Sequence, residues 1–89
     1  MLKSLINILE QATKEPDNLI EKSNQFFSSY HSYEKGVIPE KIDDIFFKLA
    51  DDIDYYQWDP ENGGIKDKKI LENKLKSRIL KALEEIDKI

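Results

Sequence analysis

Cysteine is absent from this chain, so no disulfide, thiolate zinc site or thiol nucleophile can be built from it. Histidine occurs once, at His31, which removes the Ser/His/Asp and Cys/His schemes that need several convergent parts. A lone histidine of this kind reads as a polar residue at a helix end rather than a base or ligand. Glycine and proline occur three times each, too few for long loops, and they punctuate the chain instead. No apolar run approaches the ~20 residues of a membrane span. Strand-like alternation and internal repeats are also missing.

What remains is a single small helical domain, expected over residues 1–89. The start, Met1–Glu10, carries one lysine and a short apolar run like that of a signal peptide. No small-residue cleavage site follows, and Asn7, Glu10 and Gln11 interrupt the run. The expectation is a soluble, cytoplasmic protein with no membrane partner, no cofactor and no metal, and preferentially a monomer.

The net charge of −4 is mild, but its distribution is uneven. Residues 40–61 hold eight acids against two lysines, whereas residues 66–89 hold eight bases against five acids. The asymmetry points to a basic partner at the acidic side. Direct nucleic-acid contact is conceivable only at the basic C-terminal stretch, and its interspersed acids argue against it.

Leu2, Leu5, Ile6, Leu9 and Ala12 follow the spacing of an amphipathic helix over residues 2–14. Pro16 stops it, and Asp17 is placed to cap a second helix bearing Leu19, Ile20, Ser23, Phe26, Phe27 and Tyr30. That helix exits through Tyr33, Glu34 and Lys35, with Gly36 as its left-handed terminator. Pro39 opens a third helix whose inner face is Ile42, Ile45, Phe46, Leu49, Ala50 and Ile53. Asp59-Pro60-Glu61-Asn62-Gly63-Gly64 is turn chemistry. Asp67 caps a last helix, residues 67–88, buried along Ile70, Leu71, Leu75, Ile79, Ala82, Leu83 and Ile86. Lys68–Glu72, Lys81–Glu85 and Glu84–Lys88 are i,i+4 pairs on its outside. Four helices joined by short connections predict an all-α, antiparallel four-helix bundle.

The third helix and the loop after it carry the chemistry. Asp43, Asp44, Asp51, Asp52, Asp54, Asp59 and Glu61 accumulate negative charge there, beside the large rings of Tyr55, Tyr56 and Trp58. Asp51, Asp52 and Asp54 fall near a helix C-terminus, where the dipole penalises negative charge. Violations of that sort tend to mark functional sites, although a solvated acidic face is the plain alternative. Tyr and Trp are frequent interface anchors, and one of the three rings is also expected to plug the end of the bundle. A carboxylate pair such as Asp51 with Asp54 or Asp59 lacks the concave pocket hydrolysis needs. A calcium loop from Asp52 to Gly63 fails as well, with Tyr56, Gln57 and Gly63 where an acid, a glycine and a glutamate belong. No residue is assigned a catalytic role. The ten acids and aromatics named here form the candidate binding surface.

Ile45-Phe46-Phe47-x-Leu49-Ala50-Asp51-Asp52-Ile53-Asp54, then an aromatic-acidic segment reaching Asp59-Pro60, then a helix with Leu71, Leu75, Ile79 and Leu83, resembles the colicin D immunity proteins. That group includes related immunity proteins of contact-dependent growth-inhibition systems. The specific part of the resemblance spans residues 45–83. It implies a four-helix immunity protein made alongside a secreted nuclease toxin, often an RNase that cuts tRNA anticodon loops. Such a protein binds the toxin domain and blocks its active site, with Asp51, Asp52, Asp54, Asp59 and Glu61 standing where RNA phosphates would lie. The paired tyrosines in an acidic segment are similar instead to immunity proteins of the E-type nuclease colicins, which bind beside the active site. Direct and adjacent blocking therefore both stand. The competing expectation is a helical adaptor or regulatory module, either monomeric or dimeric through exposed apolar positions.

Overall fold

A computed structural model of the chain describes residues 2–33, 36–58 and 64–89, with Trp58 described by its backbone alone. It is an all-α four-helix bundle: α1 is Leu2–Lys14, α2 Leu19–Ser32, α3 Glu40–Trp58 and α4 Lys68–Asp87. No strand occurs among the described residues. Helix α1 packs along α2 and α3 along α4, while α1 with α4 and α2 with α3 close the bundle. Helix α3 has 19 residues. At 1.5 Å per residue it is about 28 Å long, most of the longest dimension of the domain, 35 Å.

The apolar spacing decides what each helix buries. Leu5, Leu9 and Ala12 of α1, Leu19 and Phe26 of α2, and Phe46, Leu49, Ala50 and Ile53 of α3 meet Leu71, Leu75, Ile79 and Ala82 of α4 in one core. Ile38, just before α3, closes it from the loop. Phe26 meets Phe46 edge to face at 5.2 Å, and Tyr30 lies 6.0 Å from both rings. Ser23, the buried polar residue, donates to the Leu19 carbonyl at 2.8 Å, which removes the cost of an unsatisfied hydroxyl.

Three local expectations are corrected. Asp17 does not cap α2. Pro16, with its φ preset for helical geometry, starts a 3-10 turn over Pro16–Asn18 that runs straight into α2, so Asp17 lies inside the turn. Gly36 does not terminate α2 either. Tyr33 ends that helix by turning extended, and Gly36, at φ 94°, serves the turn leading to Ile38. Ile70 is half-exposed rather than buried, because the core face of α4 runs through Leu71, Leu75, Ile79 and Ala82, and Ile70, about 100° round the helix from Leu71, falls beside it. Of the three i,i+4 pairs on α4, only Glu84–Lys88 is closed, at 3.3 Å, which suits the small value of such pairs at a wet surface. Glu34, Lys35 and Asp59–Gly63 lie outside the described residues.

Asp67 caps α4 as its spacing predicts, accepting from the backbone N–H groups of Lys69 and Ile70 at 2.9 and 3.1 Å. The chain returning to it also closes the end of α3: the Ile65 N–H donates to the Tyr56 carbonyl at 2.7 Å. Gly64 stands beside that bond with φ 81°, and a Cβ placed there would lie 1.9 Å from the Gln57 carbonyl oxygen. A side chain is therefore barred twice, by the left-handed backbone and by the helix end it presses on. Gly36 has the same sign of φ but open space around it. Gly64→Ala is expected to cost roughly 2–3 kcal/mol and Gly36→Ala about 1 kcal/mol. Urea unfolding of the two variants checks this; equal midpoints would mean that α3 does not end against Gly64.

Candidate functional site

Helix α3 turns one face inward and leaves the opposite one bare. Ile53, Ala50, Leu49 and Phe46 are buried, while Asp44, Phe47, Lys48, Asp51, Asp54 and Tyr55 are exposed along one stripe. Those spacings of three and four residues stack side chains on a single helix face. Phe47 keeps 59% of its surface exposed and Tyr55 57%, large values for rings on a helix whose other side is core. Among the described residues, Asp51 and Asp54 have no ion-pair or hydrogen-bond partner. Lys48 lies in the same stripe without a closed ion pair.

The acids named from sequence separate into two groups. Asp44, Asp51 and Asp54 are on the bare stripe. Asp43 instead accepts a hydrogen bond from the Tyr30 hydroxyl at 2.8 Å and ties α3 to α2. Asp52 accepts from Arg78 Nε of α4 at 2.5 Å, in a pair whose side chains are 36% and 17% exposed. Arg78 Nη1 is buried with no hydrogen-bond partner among the described residues, so this guanidinium depends on Asp52 for compensation. Asp59 and Glu61, and the side chain of Trp58, lie outside the described residues.

The aromatics separate likewise. Tyr56 is half-buried against the core, with Lys74 Nζ 5.7 Å from its ring centre, so it is the ring that plugs the bundle end. Tyr55 points outward and meets Tyr56 only at its edge, at 6.3 Å. Gln57, next in the chain, donates to the Asn24 side chain at 2.8 Å and holds this end of α3 to α2.

Phe47 is a component that the sequence reading left out of its candidate surface. It follows the buried Phe46, and the signal was present: 47 falls off the 42/45/46/49/50/53 stripe and onto the face of Asp51. Opposite it, Phe27 and His31 of α2 pack edge to face at 4.5 Å. Together with Phe47, Asp51 and Asp54 they line a cleft of about 230 Å³ between α2 and α3. A second, open groove of about 330 Å³ runs past Tyr56, Asn73, Lys74, Ser77 and Arg78 on the α3–α4 side. The two sides differ in charge, acidic along α3 and lysine-rich along α4.

Burial, then the hydrogen bond to Asp43 and the negative charge of Asp43 and Asp44, push the Tyr30 phenol far above its ordinary value. Burial and the charge of Asp52 also raise Tyr56, with Arg78 opposing. Among the described residues no three His, Asp or Glu side chains converge as metal ligands would, and no helix is long and apolar enough to cross a membrane. The bare stripe offers charge and flat apolar area, which is the equipment of a binding face. Comparison with protein-family models, curated proteins and solved structures finds no match to this chain.

The sorting of the acids predicts unequal roles in stability. Asp52→Asn is expected to lower stability by about 1–3 kcal/mol, because it leaves a mostly buried guanidinium without its counter-charge. Asp51→Asn and Asp54→Asn, at exposed positions without partners among the described residues, should stay within about 0.5 kcal/mol. Urea midpoints of the three variants decide it, and an Asp52→Asn as harmless as the others would remove the ion pair from the account. A second prediction concerns alkaline pH. The folded state holds Tyr30 and Tyr56 as neutral phenols with raised pKa values, so their contribution is complete below their unfolded value of 10.0 and lost as pH climbs past it. Stability should fall from about pH 10 upward, by at most about 1.4 kcal/mol per pH unit for each tyrosine. Tyr30→Phe should flatten that slope, which urea titrations at rising pH would reveal.

Proposed function

We propose that this chain is a non-catalytic inhibitor of the immunity type, which neutralises a bacterial nuclease toxin by laying the outer face of α3 into the toxin's basic cleft. The observation that carries the reading is the stripe of α3 itself. Among the described residues Asp51 and Asp54 have no ion-pair or hydrogen-bond partner, and on the outer face of α3 they are flanked by two exposed rings, Phe47 and Tyr55. Folding gains nothing from that arrangement. A cleft that binds nucleic-acid phosphates is positively charged and receptive to flat rings, so it complements the stripe in both respects. The resemblance of residues 45–83 to the colicin D immunity group points the same way and adds a tRNA-cutting RNase as the class of toxin. The toxin-binding set on this reading is Asp44, Phe47, Asp51, Asp54 and Tyr55 of α3, together with Trp58, Asp59 and Glu61, which follow them in sequence. Asp43, Asp52 and Tyr56 hold α3 in place.

A stable complex of standard size takes about 800 Å² per partner, roughly one-eighth of the 6135 Å² surface of this domain. The α3 stripe with the flank of α2 is the acidic part of that area. The dipolar arrangement, acidic α3 against lysine-rich α4, would orient the domain as it approaches a basic toxin, and steering of this kind lifts association toward ~10⁸–10⁹ M⁻¹s⁻¹ at low salt. Rapid capture suits a protein that must act before the nuclease cuts. A helical adaptor is the second reading, favoured by the exposed Ile70 and Leu80 on α4, which lie apart from the acidic stripe.

A basic nuclease toxin domain is expected to be encoded next to this chain, and calorimetric titration against that domain, at two salt concentrations and with a parallel nuclease assay, tests the proposal. One-to-one binding that weakens with salt and abolishes cleavage is expected. Asp44→Asn, Asp51→Asn and Asp54→Asn combined should slow association by about tenfold or more while leaving the unfolding midpoint unchanged. The absence of both heat and inhibition would sink the immunity reading and leave the adaptor, for which light scattering would show a mass rising with concentration.

A further inference from the structure

The cleft between α2 and α3 has a composition that the general charge argument does not explain. It is lined by two phenyl rings, Phe27 and Phe47, by His31, and by Asp51 and Asp54, three residues apart on α3. His31, one turn beyond Phe27 on α2, packs edge to face on that ring at 4.5 Å and fixes its orientation. The volume of about 230 Å³ is smaller than that of sites holding whole small molecules, which run ~300–1,000 Å³. It suits one long side chain. We propose that this cleft is a socket for a single arginine side chain presented by the basic partner.

Each part of the socket answers a part of that residue. The methylene stem lies along the phenyl rings, which gives exposed Phe47 the apolar contact that the fold itself does not supply. The guanidinium plane stacks against a ring face and is attracted by its negative quadrupole. Its five N–H donors form a fork that can reach two carboxylates at once, and Asp51 and Asp54 are both without partners among the described residues. A lysine ammonium is a more strongly hydrated point charge that can neither stack nor fork, so the arrangement favours arginine. The charges around the mouth are few. Lys48, on the exposed side of α3, opposes an incoming cation, while Asp44 lies further along the stripe. In assigning the arginine to a nuclease toxin the inference rests on the proposed function, but the socket itself is testable without any toxin.

The probe is N-acetyl-arginine N-methylamide, titrated into the full chain while amide and aromatic NMR shifts are followed. Its lysine and norleucine counterparts serve as comparisons. Saturating shifts confined to Phe27, His31, Phe47, Asp51 and Asp54 are expected, with arginine binding several-fold more tightly than lysine and norleucine not saturating. Phe47→Ala should weaken arginine binding about fivefold, and Asp51→Asn with Asp54→Asn about tenfold or more, whereas Glu10→Gln on α1 leaves it unchanged. All four positions are exposed, so these variants keep the fold. Shifts spread evenly over Glu10, Glu40 and Asp44 without saturation would overturn the socket, and lysine binding as tightly would overturn the arginine assignment. Failure here leaves inhibition of a nuclease through the stripe standing. A nuclease that does not bind leaves the arginine socket standing.

Discussion

Helix α3 must satisfy two faces with one run of sequence, and most of the structure follows from how it does so. Phe46 and Phe47 are neighbours in the chain, yet a rotation of 100° per residue sends one into the core, edge-on to Phe26, and the other into solvent. Leu49, Ala50 and Ile53 continue the first face, and Asp51, Asp54 and Tyr55 the second. Because the core side is packed against Phe26 and Leu75, the outer side cannot drift. A partner meeting α3 therefore meets side chains already held on a rigid element, which reduces the ordering cost of association.

The fastenings of α3 explain why its acids differ from one another. Asp43 is spent on Tyr30 near the start of the helix, Asp52 on Arg78 further along, and Gln57 on Asn24 at the end. These three contacts reach α2 and α4 from both flanks of the helix. The closing Ile65–Tyr56 bond, with Gly64 pressed on the Gln57 carbonyl, completes the hold at the C-terminus. What is left over after these attachments is Asp44, Asp51 and Asp54. The negative charge at position 52 is compensated because a guanidinium of α4 sits against it. At 51 and 54 nothing in the described structure plays that part.

The helices themselves were legible in the sequence because their signals are local. The spacing of Leu5, Leu9 and Ala12 places α1, and the Asp67 side chain caps α4 as its position before the apolar run predicts. Misreadings occurred where neighbouring residues compete for one task. Pro16 and Asp17 can both begin a helix, and the fixed φ of the proline took precedence. Tyr33 and Gly36 can both end one, and Tyr33 did so by turning extended and packing half-buried on the core. The division of the acids was not legible, because it depends on contacts 13 and 26 residues away in sequence, from Tyr30 to Asp43 and from Arg78 to Asp52. A helical wheel does place Phe47 on the face of Asp51, but only the crossing of α2 over α3 brings Phe27 and His31 opposite them.

That division changes what phosphate mimicry can mean for this chain. Five acids at 51, 52, 54, 59 and 61 read as one negative segment when only the sequence is considered. With Asp52 neutralised by Arg78, the helical part of the segment presents two charges, not three, and presents them beside rings rather than alone. Two carboxylates spaced three residues apart on a helix spring from Cβ atoms about 5–6 Å apart, so they present two negative charges side by side, as neighbouring phosphates of a strand do. The rings then stand where bases would stack. On the proposed reading, the outer face of α3 imitates a short piece of single-stranded RNA in both of its chemistries, charge and flat surface, and it does so with residues the fold leaves free. An inhibitor built this way should discriminate among nucleases by the shape of the cleft around the rings more than by the number of acids it carries, since charge alone is complementary to every basic cleft.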